Sequence, residues 1–570
     1  MKTLGIHQSG ITSSAALVLG DELVAAASEE RFAREKYKRG FPQLAAEYCL
    51  KMGGIDWKDL DCIAVGWNPA INLSVKYQGK FSDRSRFPGD WFYSVANRVL
   101  NNMEATGLGP TFQEFQLGNK RLKICFVNHH DAHAALAFLM SLFDSASIFT
   151  ADHYGEHATT TWKTASSKGI ETIKELYFPD SIGAIYAAIT EYLGYRPHKD
   201  EWKIMGLSAY GNYKRYSDRF DKLVRKMPEG EFKLNLSYFN HFSFETKGLY
   251  SRKLVDLLGP SRKPDEEITD RHCDIAASIQ HITEEIMFHC LDFLYEKTDA
   301  DNLCLSGGCI MNSVFNGKVL SRLPFKRVYI PFAPDDNGNS IGAALYANWL
   351  MLKEKFHLNC TEGPFLGPSW SDKYVEGVLK GYQLTYRKIE DPATTAARLV
   401  FGDKIIGWFQ GRMEFGARAL GNRSILADPR NKDMKDRINR VVKYREAFRP
   451  FAPAVLAEKV KDYFLVPDGF HEVPFMEQVY QIKDDKREII PAVVHKDGSG
   501  RLQTVSREAN PMFYDLINVF DKLTGVPVVL NTSFNRKGEP IVCSPEDALR
   551  TFATCGLDAL IINSFLLEKN

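Results

Sequence analysis

Residues 411–453 read GRMEFGARALGNRSILADPRNKDMKDRINRVVKYREAFRPFAP. Arg412, Arg418, Arg423, Arg430, Arg437, Arg440, Arg445 and Arg449 fall here with Lys432, Lys435 and Lys443, eleven cations against the five acids Glu414, Asp428, Asp433, Asp436 and Glu446. The surplus is local, because the whole 570-residue chain carries a formal charge of only +1. Planar guanidinium forks grip phosphate oxygens two at a time, and lysine adds a mobile point charge. Gly411, Gly416 and Gly421 let backbone amides approach a ligand, while Pro450 and Pro453 fix the loop that carries Arg449. A solvated basic helix is the plain alternative for such a run. Small and aromatic residues interleaved among mostly Arg cations favour a phosphate-handling site instead.

Working outward, a strand–helix–strand pattern over 382–387, 392–401 and 405–409 leads into this stretch. Beyond it lie 501–505 and a strand at 527–530 that ends in Asn531-Thr532-Ser533. Arg501, Asn531 and Ser533 are polar groups at strand ends, where α/β sheets place ligands. A helix at 545–554 is announced by Ser544 as N-cap and Pro545 in the first position. Upstream, residues 358–372 hold Asn359, Gly363, Pro364, Gly367, Pro368 and Ser369, the punctuation of a linker. The division expected is a first domain over 1–357 and a second α/β domain over 358–570.

The first domain opens with strands at 3–7 and 15–27, turned at Gly20-Asp21 and joined by the small-residue loop 9–14. This is the pattern of the phosphate-facing hairpin in actin-like ATPase and sugar-kinase folds. A helix at 42–52 and a buried strand at 62–66 follow. Residues 67–120 carry Trp67, Tyr77, Phe81, Phe87, Trp91, Phe92 and Tyr93, an elaboration suited to shaping a substrate mouth or simply to packing a surface insertion. A strand at 123–127 then runs into Asn128-His129-His130-Asp131-Ala132-His133. His129 and His133 are four apart and share a helix face, the spacing for two imidazoles on one metal. Asp152 ends the next strand and Asp336 lies downstream, which makes an N/O set suited to iron(II), manganese or zinc. Lys203 stands beside Gly206. Ser306-Gly307-Gly308-Cys309-Ile310-Met311-Asn312 and 334–342 are glycine turns ahead of helices, where free amides bind phosphates. With the first hairpin they describe a nucleotide cleft between duplicated halves.

Composition narrows the rest. With 44% hydrophobic and 25% charged residues the chain is an ordinary globular one. Its balanced charge argues against general nucleic-acid binding. None of the ten cysteines forms a CxxC pair, so neither a zinc ribbon nor a disulfide framework is indicated. His7, Asp21 and Glu22 interrupt any signal-peptide core, and no stretch reaches the roughly 18 apolar residues of a membrane helix. A cytoplasmic setting without membrane attachment is expected.

EERF at 29–32, NHHDAHA at 128–134, KIMGL at 203–207, SGGCIMN at 306–312, GARALGNRSILADPR at 416–430, FRPFAP at 448–453 and NTSFNRKGEPIV at 531–542 together resemble the carbamoyltransferases of the NodU and tobramycin-carbamoylating type. The resemblance implies an actin-like ATPase (ASKHA) domain with duplicated halves, followed by a YrdC-like α/β domain. It implies that carbamoyl phosphate is broken down in the second domain, that carbamate attacks ATP to give carbamoyl-adenylate, and that the first domain passes the carbamoyl group to a hydroxyl of a small acceptor such as a natural product or glycan. By motif, His129, His133, Asp152 and Asp336 would hold iron(II), with Mg(2+) the other ion considered. Lys203, Gly307, Gly308 and Asn312 would meet ATP, with Asp152 and Asp336 beside it. Arg418, Lys443 and Arg449 would be catalytic on carbamoyl phosphate and the adenylate, with Arg501, Asn531 and Ser533 binding them. Where this family usually has His-Asp in the first hairpin loop, the chain has Ile11-Thr12, which leaves His7, His130 and His153 as candidates for the acceptor base. A threonylcarbamoyl-type tRNA-modification protein and a non-catalytic nucleotide-binding regulator are the competing readings, and a homodimer is compatible with all three.

Overall fold

The computed structural model describes residues 1–68, 111–117, 120–243, 246–352, 363–446 and 448–569. The aromatic elaboration lies outside the described residues except for Trp67 and its closing strand, as does the linker between 358 and 362. The chain forms two compact units: Met1–Ala26, Arg39–Phe315 and Val319–Cys360 in the first, and Ala27–Lys38, Asn316–Lys318 and Thr361–Asn570 in the second. Two short early segments, one of them carrying EERF, therefore pack with the second unit.

Unit 1 contains two sheets of the same plan. The first uses β1 (Lys2–Gln8), β2 (Ser13–Leu19), β3 (Glu22–Ser28), β4 (Cys62–Val65), β5 (Thr111–Leu117) and β6 (Lys120–Phe126) in the order β3-β2-β1-β4-β6-β5. The second uses β7 (Ala146–Ala151), β8 (Ala158–Ser166), β9 (Gly169–Tyr177), β12 (Asn302–Ser306) and β13 (Arg327–Tyr329) in the order β13-β12-β7-β8-β9, while β10 (Val224–Lys226) and β11 (Phe232–Leu234) form a separate hairpin. In each sheet the first strand pairs antiparallel with the second and parallel with the fourth, and the fourth pairs parallel with the fifth. Numbered within each half, both sheets read 3-2-1-4-5, and β5 is an extra edge strand on the first. This is the duplicated plan of the actin-like fold, and it accounts for the repeated glycine turns in the sequence.

A helix follows the last parallel strand of each sheet: His129–Met140 after β6 and Asn339–Leu352 after β13. The second helix is seated by two glycines. A Cβ on Gly342 would stand 1.9 Å from Ala132 O, and one on Gly5 of β1 would stand 1.8 Å from Ser340 O. No side chain fits at either place. This close seating carries the start of one helix to the start of the other.

Unit 2 is built on one ten-stranded mixed sheet. Its strands are β14 (Arg387–Lys388), β15 (Ile406–Phe409), β16 (Arg423–Ala427), β17 (Ala452–Leu456), β18 (Phe464–Leu465), β19 (Gln478–Ile482), β20 (Ser499–Val505), β21 (Val528–Ser533), β22 (Ala559–Ile562) and β23 (Phe565–Glu568), ordered β14-β23-β22-β15-β16-β21-β17-β20-β19-β18. The expected strand at 382–387 is reduced to the two residues of β14, whose partner strand β23 begins only at Phe565. The helices Pro392–Phe401 and Pro545–Thr554 have the expected bounds, and Ser544 accepts a hydrogen bond from Asp547 N in a capping box. The apolar faces of Pro392–Phe401 and Pro511–Thr524 pack on the sheet through Val400, Phe513, Leu516, Ile517 and Phe520, all buried. Among the described residues, no helix is long and apolar enough to cross a membrane.

Candidate metal and anion sites

In unit 1 the ends of the parallel strands converge. His129 and His133 sit on successive turns of the helix that follows β6, Asp152 follows β7, and Asp336 begins the turn before the helix that follows β13. One ligand atom from each of these four residues lies within 4.8 Å of all the others. His129 Nε2 is 3.2 Å from His133 Nε2, 3.5 Å from Asp152 Oδ2 and 3.6 Å from Asp336 Oδ1. His133 Nε2 is 3.3 Å from Asp152 Oδ2. The helix start is fixed by Glu156, whose carboxylate accepts the amides of His129 and Asn68.

The surroundings fit a metal. Ser306 Oγ donates to Pro334 O and so can accept from His133 Nδ1 at 3.1 Å, which leaves the Nε2 lone pair facing the cluster. Asn339 stands 3.2 Å from His129 Nδ1, and its own Oδ1 is buried without a partner. Turning that amide end for end lets Oδ1 accept from Nδ1 and frees the Nε2 lone pair of His129 as well. Asp152 Oδ2 accepts from Gly308 N at 2.9 Å. Burial disfavours a charged His129, but the hydrogen bond to Asp152 and the field of Asp336 outweigh it and raise its pKa to about 9. Burial likewise raises Asp336, yet His133, His7 and His129 hold it well below the usual carboxylate range. Two imidazoles facing two carboxylates at this distance are suited to giving up protons in exchange for a cation.

Of the three candidate bases, His130 is spent. Its Nδ1 meets Thr150 Oγ1 at 2.7 Å and its Nε2 meets Ala158 O at 3.0 Å, and burial lowers its pKa to about 3. His7 is fully buried with Nε2 3.5 Å from Asp336 Oδ2, and His153 stacks edge-on against His198 at 4.6 Å. The β1–β2 loop is tied down through Thr12 Oγ1, which donates to Asn337 Oδ1 at 2.8 Å, and Ser14 Oγ, which donates to Asn337 O at 2.7 Å.

The residues expected at a nucleotide are engaged within the fold. Gly307 N donates to Pro334 O and Gly308 N to Asp152, so neither amide is free as the glycine-turn reading supposes. A Cβ on Gly308 would lie 2.8 Å from Asp152 Oδ1, which explains the glycine by packing against that carboxylate. The turn after β12 is a 3₁₀ segment, Gly308–Met311, and the helix that follows it, Ser313–Asn316, is only four residues long. Asn312 pairs reciprocally with Gln280 at 2.9 and 3.0 Å, and Lys203 Nζ lies 3.2 Å from Asp200 Oδ1.

Unit 2 gathers cations on one face of its sheet. Lys443 ends the π-helical segment Asn439–Lys443, and Tyr444 follows with φ +47°. Such segments are uncommon and cluster at functional sites. Only 3% exposed, Lys443 donates to Asn535 Oδ1 at 2.9 Å and Asn535 O at 3.0 Å and reaches the Ser533 carbonyl. Arg445 lies over the Phe451 ring at 4.6 Å, and Arg449 is 3.5 Å from Glu446. Arg418 comes from the loop 416–421. That loop is held by Glu414, which accepts the amides of Leu420, Asn422 and Arg423, and by Arg31, which donates to Gly416 O at 2.8 Å. Gln503 and Asn531 close it from the sheet by donating to Leu420 O and Ala419 O.

These cations repel one another. Lys443 is held well below its usual pKa, first by burial and then by Arg445 and Arg449. Arg501 is disfavoured in the same direction by burial and by Arg418, Arg445 and Arg449. Since arginine stays charged in proteins, this is a local surplus of positive potential that an anion would relieve.

The basic stretch does not act as a whole. Arg423 is fully buried, lies over the Phe409 ring at 3.6 Å and donates to the carbonyls of Gln410, Asn422, Pro368 and Gly411. Arg430 clamps Asp428, Arg437 pairs with Asp403 and Asp558, and Arg412 donates to Leu366 O. From this stretch, Arg418, Lys443, Arg445 and Arg449 join Arg501. The sequence reading left Arg445 unassigned, and missed Arg31 and Glu477 altogether. Arg31 was visible within EERF, but nothing local tied it to residue 416.

Two family models match the chain, one after the other. The family described as Carbamoyltransferase N-terminus matches residues 2–345, and Carbamoyltransferase C-terminus matches residues 397–569. An uncharacterised protein of Synechocystis is 38% identical over 99% of this chain and 96% of its own length. Nodulation protein NolNO of Sinorhizobium fredii is 37% identical over 98% of this chain and 78% of its own. Among solved structures, HypF of T. kodakarensis is 14% identical over 62% of this chain and 48% of that one, with a TM-score of 0.32. With both family regions matched in order and full-length relatives well above 30% identity, the chain belongs to the carbamoyltransferase family.

Proposed function

We propose that the chain is an ATP-dependent O-carbamoyltransferase with two stations. The supporting observation is the group of mutually repelling cations Arg418, Lys443, Arg445, Arg449 and Arg501 in unit 2, with Lys443 buried among them. That unit, read as YrdC-like, takes carbamoyl phosphate and one water and releases inorganic phosphate, carbamate and a proton. A carbamate oxygen then attacks the α-phosphorus of ATP, pyrophosphate leaves, and carbamoyl-adenylate is formed. Carbamate is weakly nucleophilic and short-lived, so holding it against the α-phosphate makes an oriented step of an unfavourable encounter. The cations neutralise charge that builds on the phosphate oxygens, which is most of what adenylyl transfer asks of a protein. Unit 1 then aligns the adenylate with a hydroxyl of a small acceptor, whose oxygen attacks the carbamoyl carbon as AMP departs. His129, His133, Asp152 and Asp336 would hold a divalent metal there, iron(II) suiting the two-imidazole, two-carboxylate set, and its Lewis acidity would polarise an oxygen of the bound adenylate. Mg(2+) would travel with the ATP phosphates.

The test is product analysis. Purified protein should form AMP and pyrophosphate only when carbamoyl phosphate is present, and ADP as the sole nucleotide product rejects the reading. His133→Ala should keep adenylate formation and lose acceptor carbamoylation along with bound metal. The reverse pattern would mean the two stations are assigned the wrong way round.

A further inference from the structure

Among the described residues, the buried polar atoms without partners near these cations include Glu477 Oε2, Asn531 Oδ1 and Arg501 Nε, which come from neighbouring chain segments of the unit 2 sheet. Glu477 is 9% and Asn531 1% exposed. Strand register puts them on one face. Val479 of β19 pairs with Arg501 of β20, and Glu477 stands two residues before Val479. Gln503, two residues after Arg501, accepts from Asn531 Nδ2 at 2.8 Å. Between them β17 contributes only Ala452 and Ala454, paired with Asn531 and Gln503 respectively. Side chains alternate along strands, so Glu477, Arg501, Gln503 and Asn531 border one trough floored by alanine. Glu477 lies within the electrostatic reach of both Arg418 and Arg501, yet accepts an ion-pair hydrogen bond from neither.

A buried acid beside two arginines that nevertheless leaves an oxygen unpaired needs a reason, since such an orphan costs about 1–3 kcal/mol. The orphan set is two acceptors and one donor. A carbamoyl group is the complement: its –NH2 offers two N–H donors and its C=O one acceptor. Phosphate and acetyl groups offer no N–H. Burial, which outweighs the two arginines, pushes the Glu477 carboxyl well above its usual range.

Resting on the proposed carbamoyl phosphate site, we propose that Glu477, with Asn531, is the specificity residue that accepts the N–H groups of the carbamoyl end, while Arg501 donates to its carbonyl and the remaining cations take the phosphate. The trough then distinguishes carbamoyl phosphate from acyl phosphates of the same charge. Titration calorimetry on the full chain with fresh carbamoyl phosphate, acetyl phosphate and inorganic phosphate tests this. Wild type should prefer carbamoyl over acetyl phosphate at least tenfold. Glu477→Met, which fills the space without an acceptor, should erase that preference while inorganic phosphate affinity stays within about threefold. Glu477→Gln, which keeps a carbonyl acceptor, should retain most of the preference and serves as the folding control. Equal losses for all three ligands in Glu477→Met, or an unchanged preference, would overturn the assignment of Glu477 and leave the anion site standing. Failure of the wild type to take up any of the three ligands would overturn both.

Discussion

Replacing Lys443 by methionine separates a lysine that acts on ligand from one that only holds a loop. The ammonium is enclosed, and its partners are the Ser533 and Asn535 carbonyls and the Asn535 side chain. Losing the donor leaves up to three acceptors unmet, at about 1–3 kcal/mol for each that water cannot reach. Against this, the substitution removes a buried charge that Arg445 and Arg449 repel, and the desolvation of such a charge itself costs several kcal/mol. The two effects oppose each other, so the stability of the ligand-free protein should change by no more than about 2 kcal/mol. The reacting complex has no such offset. A unit charge about 4 Å from developing phosphate charge is worth about 4 kcal/mol at an effective dielectric constant of about 20, and deleting one pre-aimed donor typically lowers rate by about 10²–10³. Carbamoyl-phosphate-dependent exchange of labelled pyrophosphate into ATP should therefore fall by that factor, with unit 2 melting near its normal temperature. If exchange falls less than tenfold, or falls only in step with a large loss of stability, Lys443 supports the 533–535 loop and does not meet the ligand.

Arg423 should behave in the opposite way. Its guanidinium serves four backbone carbonyls and lies over the Phe409 ring, so Arg423→Met should cost unit 2 about 1–3 kcal/mol for each carbonyl that water cannot reach, read from its denaturation midpoint, whereas Arg418→Met should cost little stability and much activity; equal effects in the two variants would contradict the distinction between the two arginines. Unit 1 should weaken in mild acid. His241 is buried with Nε2 2.9 Å from Pro179 O, and burial lowers its pKa from 6.5 to about 4. A histidine with a depressed folded pKa takes up its proton more readily when unfolded, so its contribution is complete above about pH 6.5 and is lost as pH falls towards 4. At pH 5 that loss is about 2 kcal/mol by the roughly 1.36 kcal/mol attached to each pKa unit. Urea denaturation of wild type should lose that much more between pH 7 and pH 5 than His241→Gln does, and parallel pH profiles would refute the assignment.

The part of this molecule that was legible in its sequence is the part governed by short-range rules. Two histidines four apart share a helix face wherever the helix is placed, and a polar residue closing a parallel strand points to the ligand edge of its sheet. The quartet His129, His133, Asp152 and Asp336 needed little more than those two rules together with the duplicated plan. The helix at 545–554 needed only its cap. By contrast, nothing local separates Arg423 from Arg418, five residues apart in one glycine-punctuated run. The first turns into carbonyls beneath an aromatic ring, and the second leaves on a loop pinned by Glu414 and by Arg31 from nearly 400 residues away.

The glycines of the 306–312 turn show the same limit from the other side. Composition reads them as free amides for phosphate, while in the fold one amide closes on Pro334 and the other orients Asp152. Gly308 thereby becomes part of the scaffold of the candidate metal site: its amide fixes which oxygen of Asp152 stays near the histidines, and its missing Cβ makes room for that carboxylate. An alanine there would push on Asp152 before it touched any nucleotide. Glu477 was hidden for a related reason. As one acid in FMEQVYQI it has no pattern to announce it, and its place opposite Asn531 depends on the register of four strands drawn from residues 452 to 533. Charge counting finds the cations of an anion site because they are many. The group proposed to read the neutral end of the ligand is single, and is defined by which buried atoms lack a partner once the sheet has formed.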